Sequence, residues 1–298
     1  MSQDELVKHD GRGVDGTAMP VLHRTHRLHR LLAGVAALAA LLAVDAGLSG
    51  CASPVVGHRY EVHAVPLDIY YPASGATVAS GRHPVVVFSP GYGVTAPFYQ
   101  SLLNQLARAG YVVAAVRYPA GEPESALPRH AGSLSTAITE VLSDGWLAGS
   151  IDPGQVAVAG HSDGGVAVGD LIDSNGYGDS RVKAGVILSG CRDWFAPFSY
   201  GTHAVVPTLQ AQGTADPSNN FWNDAWQLFT SMNGRGPHWW MTDWGADHTS
   251  ALVGTSAQAA HTRSAVVGFL DMTLRHLGSA AFTSNGNVAG QTQLRYSS

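Results

Sequence analysis

The residues most able to do chemistry in this sequence are a serine, an aspartate and a histidine, each at the end of an apolar run. Ser162 sits in Gly160-His161-Ser162-Asp163-Gly164, the G-x-S-x-G spacing, directly after Val156-Ala157-Val158-Ala159 and before Val166-Ala167-Val168 and Leu171-Ile172. That order predicts a buried strand turning sharply into a helix, with small residues letting the two approach while the serine takes a strained backbone and exposes its hydroxyl. A serine hydroxyl is a weak nucleophile at neutral pH, so it needs a neutral imidazole to take its proton and an acid to orient that imidazole. Asp216, in Gly213-Thr214-Ala215-Asp216-Pro217, and His248, in Gly245-Ala246-Asp247-His248, both follow expected strands and complete the order Ser, Asp, His.

Other residues compete for these roles. Asp193 also follows a strand and could orient the base, whereas Asp247 is adjacent to the histidine and would not easily reach the distal edge of its ring. His238 opens a strand, and His261 and His276 fall on the last long helix, where core or solvated roles are commoner. An oxyanion hole would need two backbone N–H groups, one from the residue after the nucleophile, Asp163, and one from the early loop, Tyr92. An Asp163 carboxylate there would oppose the developing charge unless it turned toward the helix N-terminus. A neutral imidazole base predicts activity rising with pH through roughly 6 to 7.5.

The elements that must carry these residues alternate along the chain. Residues 60–71 suggest a leading antiparallel pair, and Val85-Val86-Val87-Phe88 reads as a strand covered on both faces. A helix spaced on Phe98, Leu102, Leu103 and Leu106 follows and ends at Gly110, then a strand over 111–116 and a helix over 134–147. Strands are expected at 182–188, 208–212 and 239–243, and a final helix at 257–277. Such alternation predicts an α/β fold with a doubly wound, mostly parallel sheet and helices on both faces. Too few residues separate the strands near Ser189 and Pro207 for a folded cap, so no cap domain and an open cleft are expected.

Composition narrows the classes. The 298 residues, 45% hydrophobic, suffice for one large core. Charged residues make up only 13% against a usual ~25%, the net charge is −5, and no Lys/Arg run occurs in the body, which excludes a phosphate-backbone reader. No H-E-x-x-H, P-loop or metal-spaced Cys/His cluster occurs, and no cofactor or metal is expected. Gly91-Tyr92-Gly93-Val94-Thr95-Ala96 fits G-x-G-x-x-A, with Arg117 ending the next strand, but Pro97 fits poorly in the helix a dinucleotide fold would need.

Arg24, Arg27 and Arg30 precede an apolar run over 31–44, too short to span a bilayer comfortably and ended by Asp45, the layout of a signal peptide. Met19 is an alternative start. Leu48-Ser49-Gly50-Cys51 resembles a lipobox, which implies an acylated Cys51 and attachment to a membrane face; the alternative is a soluble secreted protein cut nearby at a small-residue site. Cys191 then has no partner for an internal disulfide. The expected organisation is a signal segment at 1–50, a tether at 51–58, the catalytic domain at 59–278 and a polar, poorly ordered tail at 279–298, in an exported monomer.

With these pieces in place, the stretch from about Pro84 to Leu277 resembles the bacterial cutinase-like polyester hydrolases of the α/β-hydrolase superfamily. Ser89-Pro90-Gly91-Tyr92, Gly110-Tyr111-Val112-Val113, Gly160-His161-Ser162, Gly213 to Asp216 and Gly245 to His248 carry the resemblance. It implies Ser162 as nucleophile, His248 as base, Asp216 as orienting acid, Tyr92 and Asp163 at the oxyanion hole, and Trp194, Tyr92 and His161 on an ester substrate. The chain departs from that pattern at Asp163, where the family commonly has methionine, and in a tail without cysteine. A small-ester esterase resembling platelet-activating-factor acetylhydrolases or dienelactone hydrolases is the alternative enzyme, and a ligand-binding surface lipoprotein the alternative outside enzymes.

Overall fold

The computed structural model describes residues 55–195, 199–201 and 204–298. The expected signal segment, Cys51 and the first half of the expected tether lie outside the described residues. Ten strands form one sheet: β1 (Val55–Glu61), β2 (Leu67–Ser74), β3 (Thr77–Val78), β4 (His83–Ser89), β5 (Val112–Val116), β6 (Ile151–His161), β7 (Val182–Leu188), β8 (Thr208–Gly213), β9 (His238–Asp243) and β10 (Thr292–Ser297). Their order is β1-β2-β5-β4-β6-β7-β8-β9-β10, with β3 beside β2. From β5 to β9 all pairs are parallel, and the antiparallel strands lie at the two flanks. This is the doubly wound, mostly parallel sheet expected from the alternating elements, in the α/β-hydrolase arrangement that the resemblance implies.

Successive side chains of a strand point to opposite faces, and both faces of this sheet are covered. Val86 and Phe88 enter one core with Leu102, Leu103 and Leu106 of α1 (Gln100–Arg108) and Val266, Phe269 and Leu270 of α5 (Ala257–Leu274). Val85 and Val87 enter the other core with Leu134 and Ile138 of α2 (His130–Ser143) and Val168 and Leu171 of α3 (Asp163–Asp173). Leu228 of α4 (Trp226–Ser231) packs into that second core. Helix α1 is shorter than its apolar spacing implies, because Pro97 lies in a separate 3-10 turn, Ala96–Tyr99, that leaves Phe98 half-exposed. Residues 91–96 open no helix, and Arg117 pairs bidentately with the buried Asp68 at 2.7–3.2 Å. Both are incompatible with the dinucleotide reading.

Two boundaries differ from expectation. The sheet begins inside the expected tether, at Val55, because residues 55–61 pair residue for residue with β2. The tail over 279–298 is built, as α6 (Ala280–Gly286) and β10. Its polar composition hides the anchors: Phe282 is fully buried against Phe269, and Leu294 packs so closely on Gly286 that an added Cβ there would lie 2.2 Å from it. β10 takes the free edge of β9, from Thr292 opposite Asp243 to Ser297 opposite His238.

Candidate active site

Parallel strands end on the same edge of a sheet, and loops leaving that edge can converge across it. Ser162 leaves β6, Asp216 follows β8 and His248 follows β9, and the three meet. Ser162 Oγ donates to His248 Nε2 at 2.8 Å, and His248 Nδ1 donates to Asp216 Oδ2 at 2.8 Å. The remaining Asp216 lone pairs take Gln212 Nε2 at 2.8 Å and the N–H groups of Ser218 and Asn219 at 2.8 and 3.0 Å. Burial pushes this carboxyl up, but the bonds from His248, Asn219 and Ser218 outweigh it, and its pKa is held below the usual carboxylate range. The arrangement can draw a proton from Ser162 and hold the resulting imidazolium over a charged acid.

The turn at Ser162 has φ 55° and ψ −123°, a backbone that few non-glycine residues adopt. Its surroundings impose it. A Cβ on Gly160 would lie 2.1 Å from the Gly164 carbonyl oxygen, and one on Gly164 would lie 2.0 Å from the Ser89 carbonyl oxygen. Strand β6, helix α3 and the end of β4 therefore meet backbone to backbone. Replacing Gly164→Ala is expected to cost about 3 kcal/mol or more, since no flexible side chain can yield. Urea unfolding measures it, and an unchanged midpoint would contradict this packing.

The competing residues are occupied elsewhere. Asp193 is buried, accepts the Phe195 N–H at 2.7 Å, and donates its own N–H to Tyr200 Oη, whose hydroxyl goes to Asp170. Asp247 folds back to accept the N–H groups of Thr249 and Ser250 at 2.9 and 2.8 Å, shaping the turn that presents His248. His238 is buried against Gly236 O and Asn233 Oδ1, His261 meets Asn285 Oδ1, and His276 is exposed beyond the end of α5.

His161 is not on the substrate side, contrary to expectation. It is 3% exposed, and its Nε2 donates to the His248 carbonyl oxygen at 2.7 Å while its Nδ1 accepts from Tyr99 Oη at 2.9 Å. Tyr99 Oη in turn accepts the Gly91 N–H at 2.9 Å. A neutral imidazole thus ties the early loop to the loop of the base. Tyr99 went unrecognised because it belongs to the apolar set of the α1 region, and its partner lies 62 residues on. Burial dominates the His161 shift, lowering its pKa from 6.5 to about 4. The unfolded chain therefore takes up a proton that the folded one refuses. The associated stability is present above pH 6.5 and falls as pH drops toward 4, by on the order of 3 kcal/mol. His161→Gln keeps a donor and an acceptor without titrating. Urea midpoints at pH 7 and 4.5 should lie closer together in that variant than in the parent, and equal spacing would refute the neutral imidazole.

Gly91 brings the early loop beside the serine, where an added Cβ would lie 3.1 Å from Ser162 Cβ. Tyr92 follows it with a half-exposed ring, and among the described residues its N–H has no protein acceptor. Asp163 begins α3, and with Tyr92, Tyr118, Glu122 and His130 it lines a groove of about 320 Å³. Tyr118 stacks on His130 with centroids 3.8 Å apart and pairs its hydroxyl with Ser89 Oγ at 2.8 Å. Trp194, 67% exposed, is not among the side chains lining this groove. Cys191 is buried and its thiol pushed up to about 12, chiefly by burial, so it offers no second nucleophile. Glu61, His63 and Asp144 bring ligand atoms within 4.8 Å of one another, but none lines the groove, and His63 already meets Glu140 and Asp144.

One family model, Platelet-activating factor acetylhydrolase, isoform II, matches residues 49–123. That stretch runs from the leading strand pair through the Gly91-Tyr92 loop to the far wall of the groove. The chain has an α/β-hydrolase fold. The match supports a hydrolase of the lipase and esterase type, acting on carboxylic esters in general. No curated protein matches the chain.

Proposed function

We propose that this protein is a serine carboxylic-ester hydrolase working through an acyl-enzyme. The observation that carries the reading is the unbroken line Ser162 Oγ, His248 Nε2, His248 Nδ1, Asp216 Oδ2, with both hydrogen bonds at 2.8 Å. Ser162 Oγ attacks the ester carbonyl carbon as His248 takes its proton, and the carbonyl electrons move onto oxygen. The N–H groups of Tyr92 and Asp163 receive that oxyanion at the start of α3, where the helix dipole adds positive potential. His248 returns the proton to the departing alkoxide, releasing the alcohol. Water, deprotonated by the same imidazole, then attacks the acyl-enzyme; the acyl–Oγ bond breaks as His248 returns that proton to Ser162 Oγ, and the acid is freed.

The groove suits neutral esters of modest size. Its walls carry Asp163 and Glu122, the latter bridged to Arg129 and His130, so an anionic acyl chain would meet carboxylates there. Among the described residues no helix or strand is inserted in the chain between β7 and β8, so no cap is built there, which supports access for bulky, cutinase-type polyester substrates. The family match favours a second reading, a small-ester esterase similar to platelet-activating-factor acetylhydrolases. The N-terminal basic and apolar segment and the lipobox-like Cys51 support export to the cell surface.

A fluorophosphonate probe should label the protein once, at Ser162, and p-nitrophenyl acetate or butyrate should be turned over. Release of soluble acids from polyester film, set against turnover of short-chain phospholipid esters, separates the two substrate readings. A folded protein that neither labels nor hydrolyses any ester would leave ligand binding without turnover as the account.

A further inference from the structure

A second cavity, of about 280 Å³, shares no lining residue with the groove beside Ser162. Its wall holds Phe221, Trp222, Trp226, Trp240, Trp244 and Arg295, and it touches Asp216. The aromatic rings cross nearly edge to face: Trp226 and Trp240 at 5.0 Å and 80°, Phe221 and Trp240 at 5.0 Å and 85°, Trp222 and Trp226 at 5.6 Å and 67°. Trp222 remains 64% exposed and Trp244 48%, leaving broad indole surface in water at the rim. The first rings come from a π-helical turn, Phe221–Ala225, a rare form frequent at functional sites.

Charge selects among planar guests. The Arg295 guanidinium lies 5.5 Å from the Trp226 ring and makes no ion pair among the described residues. The Asp216 side chain is fully shielded from solvent and occupied by His248, so its carboxylate does not face the cavity. Asp224, on the same turn, holds the Asn220 N–H and is not part of the wall. The cavity therefore offers stacking faces and one positive charge without a facing carboxylate.

We propose that this cavity binds an aromatic carboxylate, its ring among the indoles and its carboxylate on Arg295. The binding needs neither Ser162 nor turnover, and it does not rest on the hydrolase reading.

Calorimetric titration of the full chain with benzoate tests it, with benzamide and cyclohexanecarboxylate as neutral and non-aromatic controls. Benzoate should bind one to one, with a Kd of about 1 mM or tighter, and each control at least about tenfold more weakly. Arg295→Gln and Trp222→Ala, both at exposed positions, should each weaken benzoate about tenfold or more while circular dichroism stays unchanged. Saturating Ser162 with fluorophosphonate should leave benzoate binding intact. Equal affinity for benzamide, undiminished binding in Arg295→Gln, or loss of binding after fluorophosphonate treatment would each overturn the proposal. So would absence of benzoate binding, or binding of a neutral disaccharide instead.

Discussion

Ser162→Ala is expected to lower kcat for short p-nitrophenyl esters by roughly 10⁵-fold or more while the protein stays folded. The substitution removes one oxygen, whose hydrogen bond in the free protein goes to His248. The elbow is held by other means: Ser162 N–H donates to Leu188 O at 3.0 Å, Val166 N–H donates to Ser162 O at 2.9 Å, and the glycine contacts on both sides are unaffected. Stability should therefore change little, and circular dichroism with urea unfolding checks it. What disappears is the covalent route, because His248 cannot make a comparable nucleophile of water positioned only by the groove. A folded alanine variant keeping a hundredth of the parent kcat would remove Ser162 from the chemistry.

Asp216→Asn should cost about 10³- to 10⁴-fold in kcat with a nearly unchanged backbone. The carboxylate accepts from four donors, Gln212 Nε2, His248 Nδ1 and the N–H groups of Ser218 and Asn219. An asparagine amide must turn its NH₂ group toward one pair of them. The two backbone donors cannot change, whereas the imidazole can shift its proton. The amide therefore faces His248, which must accept at Nδ1 and carry its proton on Nε2, the atom that has to receive the serine proton. Asp193→Asn, bonded to its own loop, should leave kcat within a few-fold of the parent. Similar losses in both variants would mean that the acid has been misassigned. The linkage has a sign as well. Because the folded pKa of Asp216 lies below the unfolded one, its contribution to stability is present above about pH 3.9 and is lost as pH falls through the depressed value. The asparagine variant should lack that part of acid unfolding.

The three residues of this line could be read from the chain because each follows a run of buried β-branched or small residues, and parallel strands release their loops on one edge. Ser162 was clearest, since Gly160 and Gly164 mark a backbone approach that no other residue permits. What could not be read depends on contacts distant in sequence. His161, next to the nucleophile, invites a role on the substrate, yet strand alternation turns it inward, to Tyr99 on one side and the His248 carbonyl on the other. Asp193 and Asp216 both follow strands, and only the hydrogen bonds of their loops separate them. The aromatic cavity joins residues 221–226, on a short turn, to Arg295 near the chain end, and no local pattern announces that meeting.

The last strand carries a consequence for how molecules of this protein meet one another. β10 covers the outer edge of β9, and Ser298 O accepts the Gly234 N–H of the turn that leads into β9. A sheet edge left bare is a template onto which another chain can add. Trimming the polar final residues as dispensable would uncover the backbone of β9, with Trp239 and Trp240 on it, to any passing strand. Those residues occupy the hydrogen-bonding edge of β9 that such a strand would otherwise use.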